Sequence, residues 1–356
     1  MGTMKIKDVA RICGVGVSTV SRAMNNHPDI NPETKAMIMQ VMKEHNYVPN
    51  NSARNLKRTA SKTIAVLVKG VANPFFQRMI QIFEHEIDSN KYSMILQGVE
   101  ESEDEAKIAA QLVKEKRLKG IIFLGGNLTN PEENLKNLGV PFVLSTAPLC
   151  QETFDYSPDK KEDSSEVSYV TVAVDDRKES YKMVNHLCQL GHKRIGILTA
   201  TKDDRSIGLL RTQGYLEALK DNHITYEEDL VVHMKEKVEG YSMASGYQMM
   251  NRLLDTTKDF TAVYAISDAV AIGACKAIFD RGYRIPEDYS VAGFDGLDAA
   301  HYYQPSITTI RQPVEEMARE TIKQLFQMIK KKKSRRECVF EGTLEEGQST
   351  RRIEKA

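Results

Sequence analysis

From Lys62 onward, apolar runs of strand length alternate with stretches whose apolar residues recur at helical spacing, and few architectures accommodate that alternation. Thr63-Ile-Ala-Val-Leu-Val68 is apolar almost without a break, as a strand covered on both faces must be, and Phe76, Met79, Ile80, Phe83 and Ile87 then form a helical stripe. Strand followed by helix builds a parallel sheet. Met94-Ile-Leu-Gln97, Gly120-Ile-Ile-Phe-Leu124 and Pro141-Phe-Val-Leu144 continue it, with a helix expected over 104–116 between the first two. The pattern restarts with a helix over 177–190, the run Arg194-Ile-Gly-Ile-Leu198, a helix over 208–221, then Ala262-Val-Tyr-Ala-Ile266 and Tyr289-Ser-Val-Ala-Gly293. The body is thus expected to be an approximate duplication of one α/β subdomain.

Before Lys62 the period is helical only. Ile6, Val9, Ala10 and Cys13 share one side of a short helix that Gly14 stops, which makes Cys13 a core residue. After Val15 and Gly16 a second helix runs from Val17 to Met24, with Val20 and Met24 on one face and Ser18, Ser21, Arg22 and Asn25 elsewhere. Asn31 as cap, Pro32 in the first turn and Glu33 near the positive helix end announce a third helix carrying Met37, Ile38, Val41 and Met42. The second helix has little apolar area for a core element, so its exposed face wants another partner. Residues 1–62 hold ten Lys and Arg against four Asp and Glu, and because the whole chain is formally neutral the remainder carries the opposite surplus. A cationic module attracts a polyanion through counterion release, although a solvated basic surface has the same composition.

Several classes are set aside by what the sequence does not contain. At 356 residues two or three folding units are expected. The five cysteines are odd in number, far apart and without a CxxC pair, which indicates neither a disulfide framework nor a zinc site and fits a reducing cytoplasm. No basic, then apolar leader and no run of about 18 apolar residues occurs, so neither export nor a membrane span is expected. Neither GxGxxG nor GxxxxGK[ST] lies between strand and helix, and no Ser/His/Asp, Cys/His or paired-carboxylate arrangement sits at strand ends with a base. The expectation is a protein that is not an enzyme and has no cofactor or metal.

Four ordered motifs in the first 56 residues, Ile6-Lys-Asp-Val-Ala, Val-Ser-Thr-Val-Ser-Arg, Asn-Tyr-Val-Pro-Asn and Ser-Ala-Arg-Asn-Leu, resemble the DNA-binding headpiece of the lactose-repressor family. The resemblance implies that the second helix enters the major groove, with Val17 and Ser18 at base edges and Ser21, Arg22 and Asn25 behind them. Val17 offers methyl groups to a thymine methyl, and the Arg22 fork suits guanine or a phosphate. Asn50-Asn-Ser-Ala-Arg-Asn-Leu-Lys57 is too short and polar to be a stable helix alone. By the same resemblance Asn50, Ala53, Leu56 and Lys57 belong to a hinge helix that meets its copy in the minor groove, where Leu56 wedges between base pairs.

The body resembles the periplasmic sugar-binding-protein fold that this family places after its headpiece. Its motifs are Asn73-Pro-Phe-Phe76, Val174-Asp-Asp176, Gly191-His-Lys-Arg-Ile195, Arg211-Thr-Gln-Gly214, Ser267-Asp268 with Gly273, Gly293-Phe-Asp-Gly296 and Thr308-Thr-Ile-Arg-Gln-Pro313. Most fall at carboxyl ends of strands, where α/β proteins bind ligands. Aromatic faces at Phe75 and Phe76 beside Arg211 and Asp295 are what a polyhydroxyl ring requires, stacking on one side and directed hydrogen bonds on the other. The resemblance adds Asn73, Arg205, a wall at Tyr241 and Asp268 to this ligand set. Each has a structural alternative: Phe76 also lies on the core stripe, Asp268 is placed to cap a helix, and Arg211 could form a surface ion pair. One departure is Ser267, where the family often has Asn.

The domains expected are a helix-turn-helix headpiece at 4–49, a hinge helix and linker at 50–61, an N-terminal lobe of 62–172 plus 308–336, and a C-terminal lobe of 173–307 plus 337–356. Cys150–Ser168 is expected to be an exposed excursion, and the basic run Lys330–Arg336 a solvated connection. After Gly347-Gln-Ser-Thr350 no leucine heptads follow, so a homodimer is expected. The whole implies a cytoplasmic transcriptional regulator, a repressor of a carbohydrate-utilisation operon, with double-stranded operator DNA and a mono- or oligosaccharide effector as partners. A catabolite-control-type regulator driven by a partner protein is the alternative, and the sequence does not choose between inducer and corepressor.

Overall fold

The computed structural model describes residues 5–24, 27–45, 47, 62–100, 103–126, 135, 138–146, 169–204, 206–235, 240–332 and 337–353. The chain divides into two compact units, the second beginning at Lys62. The first unit has three helices, α1 Ile6–Ile12, α2 Val17–Met24 and α3 Pro32–Glu44. Gly14 ends the α1 turn at φ +65°, and Val15 N donates back to Ala10 O at 3.0 Å, the wrap a left-handed glycine permits. Asn31 Oδ1 accepts from Glu33 N at 2.8 Å and Thr34 N at 3.3 Å, which fixes the start of α3 as the sequence indicates. Val9, Ala10, Val20, Ala23, Ile38 and Met42 make the core, and Cys13 packs against it half-buried.

The second unit holds two parallel sheets. The larger comprises β1 Thr63–Lys69, β2 Ser93–Val99, β3 Gly120–Leu124, β4 Phe142–Ser145, β5 Tyr169–Val174 and β11 Glu337–Phe340, in the order β11-β5-β4-β3-β1-β2. The unbroken apolar run of β1 has its reason in two-sided covering. Ile64, Val66 and Val68 pack with α4 Pro74–Ser89 and α11 Val314–Ile329, whereas Ala65 and Leu67 pack with α5 Glu105–Lys116 on the opposite face. The smaller sheet comprises β6 Ile195–Thr199, β7 Val231–His233, β8 Ala262–Ala265 and β9 Ser290–Ala292, in the order β7-β6-β8-β9. Its helices pack in pairs, α6 Asp176–Gln189 on α7 Ile207–Asp221 and α8 Met243–Thr256 on α9 Asp268–Asp280.

The chain passes between the sheets three times: from β5 into α6, through β10 Thr309–Arg311 into α11, and from β11 through β12 Thr343–Glu345. β10 and β12 pair antiparallel, with Ile310 opposite Leu344. The expected lobe boundaries are corrected here. Residues 337–340 belong to the larger sheet, because β11 hydrogen-bonds to β5 in parallel register, and the chain reaches the smaller lobe only near Ser349, whose carbonyl accepts from Val291 N at 2.8 Å. β5 likewise runs across the 172/173 boundary, and Thr308 bridges to Ala292 of the smaller lobe. The excursion 150–168 lies outside the described residues, as does all of the basic run beyond Lys332.

The α8–α9 pair crosses at glycines. A Cβ at Gly273 would lie 1.9 Å from the Met243 carbonyl oxygen, and one at Gly246 would lie 2.1 Å from that of Val270. At an open helix position Gly→Ala gains about 1 kcal/mol, but overpacking costs about 1–3 kcal/mol and backbone cannot move aside as a flexible side chain does. Gly273→Ala should therefore lower unfolding stability by about 1–2 kcal/mol in urea titration, and an equal or higher midpoint would refute the close crossing.

Candidate functional site

Helical geometry decides what α2 shows to solvent. Val20 and Ala23 point into the three-helix core, so Val17, Ser18 and Arg22 must face outward, and all three are exposed, Val17 at 41%. Ser21 is half-buried beside them. The helix has a basic residue in its last turn and no acid in its first, so nothing on it repels a phosphate. Asn25 and the hinge residues Asn50, Ala53, Leu56 and Lys57 lie outside the described residues.

The second gathering point is the carboxyl end of the smaller sheet. Arg211, on α7, is only 2% exposed, so its charge must be met inside the protein. Its Nε donates to Asp176 Oδ1 at 2.8 Å, and its Nη1 donates to Asp295 Oδ1 at 3.4 Å and to the Ile266 carbonyl that ends β8. The guanidinium lies 3.7 Å from the centroid of the Phe294 ring. Burial works against its charge, but the carboxylates of Asp176 and Asp295 outweigh burial and hold its pKa above the ordinary value. Burial raises Asp176 while Arg211 opposes the rise, and burial raises Asp295 to about 6 against the pull of Arg211 and Gln312.

Asp295 has φ +117°, a conformation that costs energy in an L residue and persists only where surroundings impose it. The β10 crossover imposes it. Asp295 N donates to Ile310 O at 2.9 Å, Gln312 N donates to Asp295 O at 3.2 Å, and Gln312 Nε2 donates to Asp295 Oδ1 at 2.9 Å. The residue that the sequence offers as a ligand acceptor is thus bonded both to Arg211 and to the segment that leads into α11.

The other expected ligand residues are distributed unevenly. Tyr241, at φ +44°, brings its hydroxyl to the start of α7, where a Cβ at Gly208 would lie 3.0 Å from it and 2.4 Å from Asp204 Oδ2. Arg205 lies outside the described residues. Ser267, not Asp268, caps α9, accepting from Val270 N at 3.3 Å. Asp268 is wholly buried, and its carboxylate accepts from Thr309 Oγ1 at 2.6 Å and Leu297 N at 2.7 Å. In the larger lobe Asn73 caps α4 through Phe75 N at 3.1 Å, and Phe75 and Phe76 meet edge-on at 5.6 Å, both buried. Phe76 fills the space under Gly125, where a Cβ would lie 2.5 Å from its Cζ. The core alternative therefore describes Phe76, and neither ring presents an open face in this arrangement. Sequence reasoning passed over Asp176, Phe294, Thr309 and Gln312, although all stand in motifs it singled out; a buried arginine that must have acid partners is the signal that would have found Asp176.

Comparison with known proteins agrees with both gathering points. Residues 5–50 match the family model described as bacterial regulatory proteins, lacI family, and residues 184–350 match that of a periplasmic binding protein-like domain. The chain is 40% identical over 328 residues to the HTH-type transcriptional regulator MalR of Clostridium butyricum, covering 92% of this chain and 93% of that one. Among solved structures, a transcriptional regulator CelR–cellobiose complex is 26% identical with TM-score 0.66, covering 97% of this chain and 99% of that one. The lac repressor dimer bound to operator and the anti-inducer ONPF is 24% identical with TM-score 0.74, covering 98% of this chain and 100% of that one, a likeness of fold.

Removing Arg211 would leave Asp176 and Asp295 buried without their counter-charge, and breaking a buried pair from one side costs about 3–5 kcal/mol. Arg211→Ala should therefore lower the denaturation midpoint of the second unit severely, with Arg211→Lys intermediate. An alanine variant as stable as the parent would show that the guanidinium is not structural.

Proposed function

The chain belongs to the lacI family of bacterial regulatory proteins, and from that membership we propose that it is a sequence-specific DNA-binding repressor whose second unit binds a saccharide effector. The observation that carries the DNA half is α2, a short helix whose Val17, Ser18 and Arg22 face solvent with no acid in its first turn. Such a helix suits the major groove, with Val17 against a thymine methyl and Arg22 on guanine or phosphate. Two copies, each adding a hinge helix at Asn50–Lys57, would bind the halves of a pseudo-palindromic site in the cytoplasm. No described helix is long and apolar enough to cross a membrane.

The effector half is supported by the Arg211–Asp295 cluster at strand carboxyl ends and by the cellobiose held by the CelR relative. Asp295 offers acceptor capacity to ligand hydroxyls, with Tyr241 at the neighbouring helix start. We assign binding rather than turnover to the cluster, since its acids serve as acceptors for Arg211, Gln312 and Leu297. The effector acts by population shift: whichever lobe arrangement it prefers gains population, and with it the hinge state that accompanies that arrangement.

Arg22→Ala should weaken operator binding by about 1–3 kcal/mol if the side chain reads a base, and should instead weaken all DNA equally and lower the salt slope by about one if it meets a phosphate. Leu56→Ala should reduce operator affinity more than non-specific affinity in the same anisotropy titration. Unchanged binding by both variants would remove α2 and the hinge from the DNA interface. In a thermal-shift screen of mono- and oligosaccharides and nucleosides, a saccharide at a hundred times its Kd should add about 2.7 kcal/mol of stability. A response to nucleosides alone would overturn the saccharide assignment.

A further inference from the structure

Asp268 is the acid of the cluster that has no guanidinium. Asp176, Asp268 and Asp295 are all buried, and only the first two neighbours of Arg211, Asp176 and Asp295, pair with it. From the crossover, Arg311 is already engaged by Glu345 at 2.6 Å and donates to Gly296 O at 2.7 Å. Tyr264 of β8 brings no positive charge, and Asp298 adds another acid beyond the loop. If all three buried acids were ionised, one cation would face three anions in a medium that screens poorly, so the least costly arrangement keeps one acid neutral.

The geometry identifies that acid. Asp268 is sealed from water, since a Cβ on Gly293 would lie 2.3 Å from its Oδ1. What it touches is structural on two sides: Leu297 N in the loop, and Thr309 Oγ1 on the crossover, a hydroxyl that serves equally as donor to a carboxylate or acceptor from an acid. Thr309 Oγ1 also accepts from Gly296 N at 3.3 Å. Asp268 and Thr309 therefore tie the Phe294–Leu297 loop, which contains the strained Asp295, to the strand that crosses into the larger lobe. Burial and the neighbouring Asp295 charge raise the Asp268 pKa to about 8, in keeping with a proton held there.

We propose that Asp268 is the positioning residue of this cluster: as the neutral acid it fastens the Phe294–Leu297 loop to the Thr309–Arg311 crossover, and its ionisation loosens that fastening and releases Asp295 from its set geometry. The consequence for effector affinity rests on the assignment of Asp295 to the effector site, whereas the fastening itself does not. The sequence-based expectation that Asp268 touches ligand is replaced by a role exercised through Asp295.

Thermal unfolding of the full chain without DNA or effector, from about pH 5 to about pH 9, tests the fastening independently of any ligand. The folded acid holds its proton up to about 8, while the unfolded group releases it near its ordinary 3.8. The folded state thus binds the extra proton between those values, and stability falls as pH rises through that window, by roughly 3 °C per pH unit in Tm. Asp268→Asn keeps both bonds, its amide donating to Thr309 and its carbonyl accepting from Leu297, and has nothing to titrate. It should lose most of the pH slope and melt above the parent near the alkaline end, whereas Asp268→Ala should melt lower throughout. A slope retained in Asp268→Asn would place the proton elsewhere, and Asp268→Asn melting as low as Asp268→Ala at every pH would show that no neutral hydrogen-bonding group suffices. A parent without the slope would overturn the proposal as well.

Discussion

The second unit is organised around a charge that has nowhere else to go. Arg211 lies almost wholly out of water, and its two ion-pair partners come from elements far apart in sequence, Asp176 at the start of α6 and Asp295 in the loop after β9. A buried cation stripped of either partner is expensive, so the guanidinium dictates how α6, α7, the end of β8 and the β9 loop converge. Hydrophobic packing alone would tolerate small slides of these elements; directed bonds to Asp176, Ile266 and Asp295 do not. The same convergence puts carboxylates at the strand ends, where a polyhydroxyl ligand would meet them.

This convergence matters because of its address. Asp295 is bonded on one side to Arg211 and on the other to Gln312, which immediately precedes Pro313 and the helix α11 that packs on the larger sheet. A ligand donor that competed for Asp295 would thereby act on a segment shared by both lobes, with no long chain of intermediaries. The three crossings of the chain, two of them paired as β10 and β12, concentrate the mechanical connection into a few residues. Coupling free energies in such systems are typically about 1–3 kcal/mol, which is of the order of one or two hydrogen bonds of this kind.

Local signals were legible in the sequence where the cause is local. Gly14, Asn31 and the outward face of α2 follow from a left-handed stop, a side-chain cap and a 3.6-residue period, and each holds in the structure. The two-sided burial of β1 was legible for the same reason. Contacts set by distant partners were not. β11 pairs with β5 although more than 160 residues separate them, and a run of four strand residues says nothing of which sheet it will join. Asp176, Thr309 and Gln312 stood in recognisable motifs, but their roles depend on an arginine and a loop remote in sequence. Phe76 shows a different limit: an apolar residue at a strand end serves a core or a ligand equally well until its neighbour, here Gly125, is known.

The buried acids also explain how strain and stability are reconciled in one loop. Asp295 at φ +117° is a costly conformation, and hydrogen bonds from Ile310, Gln312, Thr309 and Asp268 surround the Phe294–Leu297 segment so that relaxing it would break several of them together. Such a loop has two well-separated states, fastened or released, rather than a continuum. A regulator needs that property, because a graded deformation at the effector site would fade before it reached the crossover, whereas a fastened loop passes on the whole of its energy difference when it lets go.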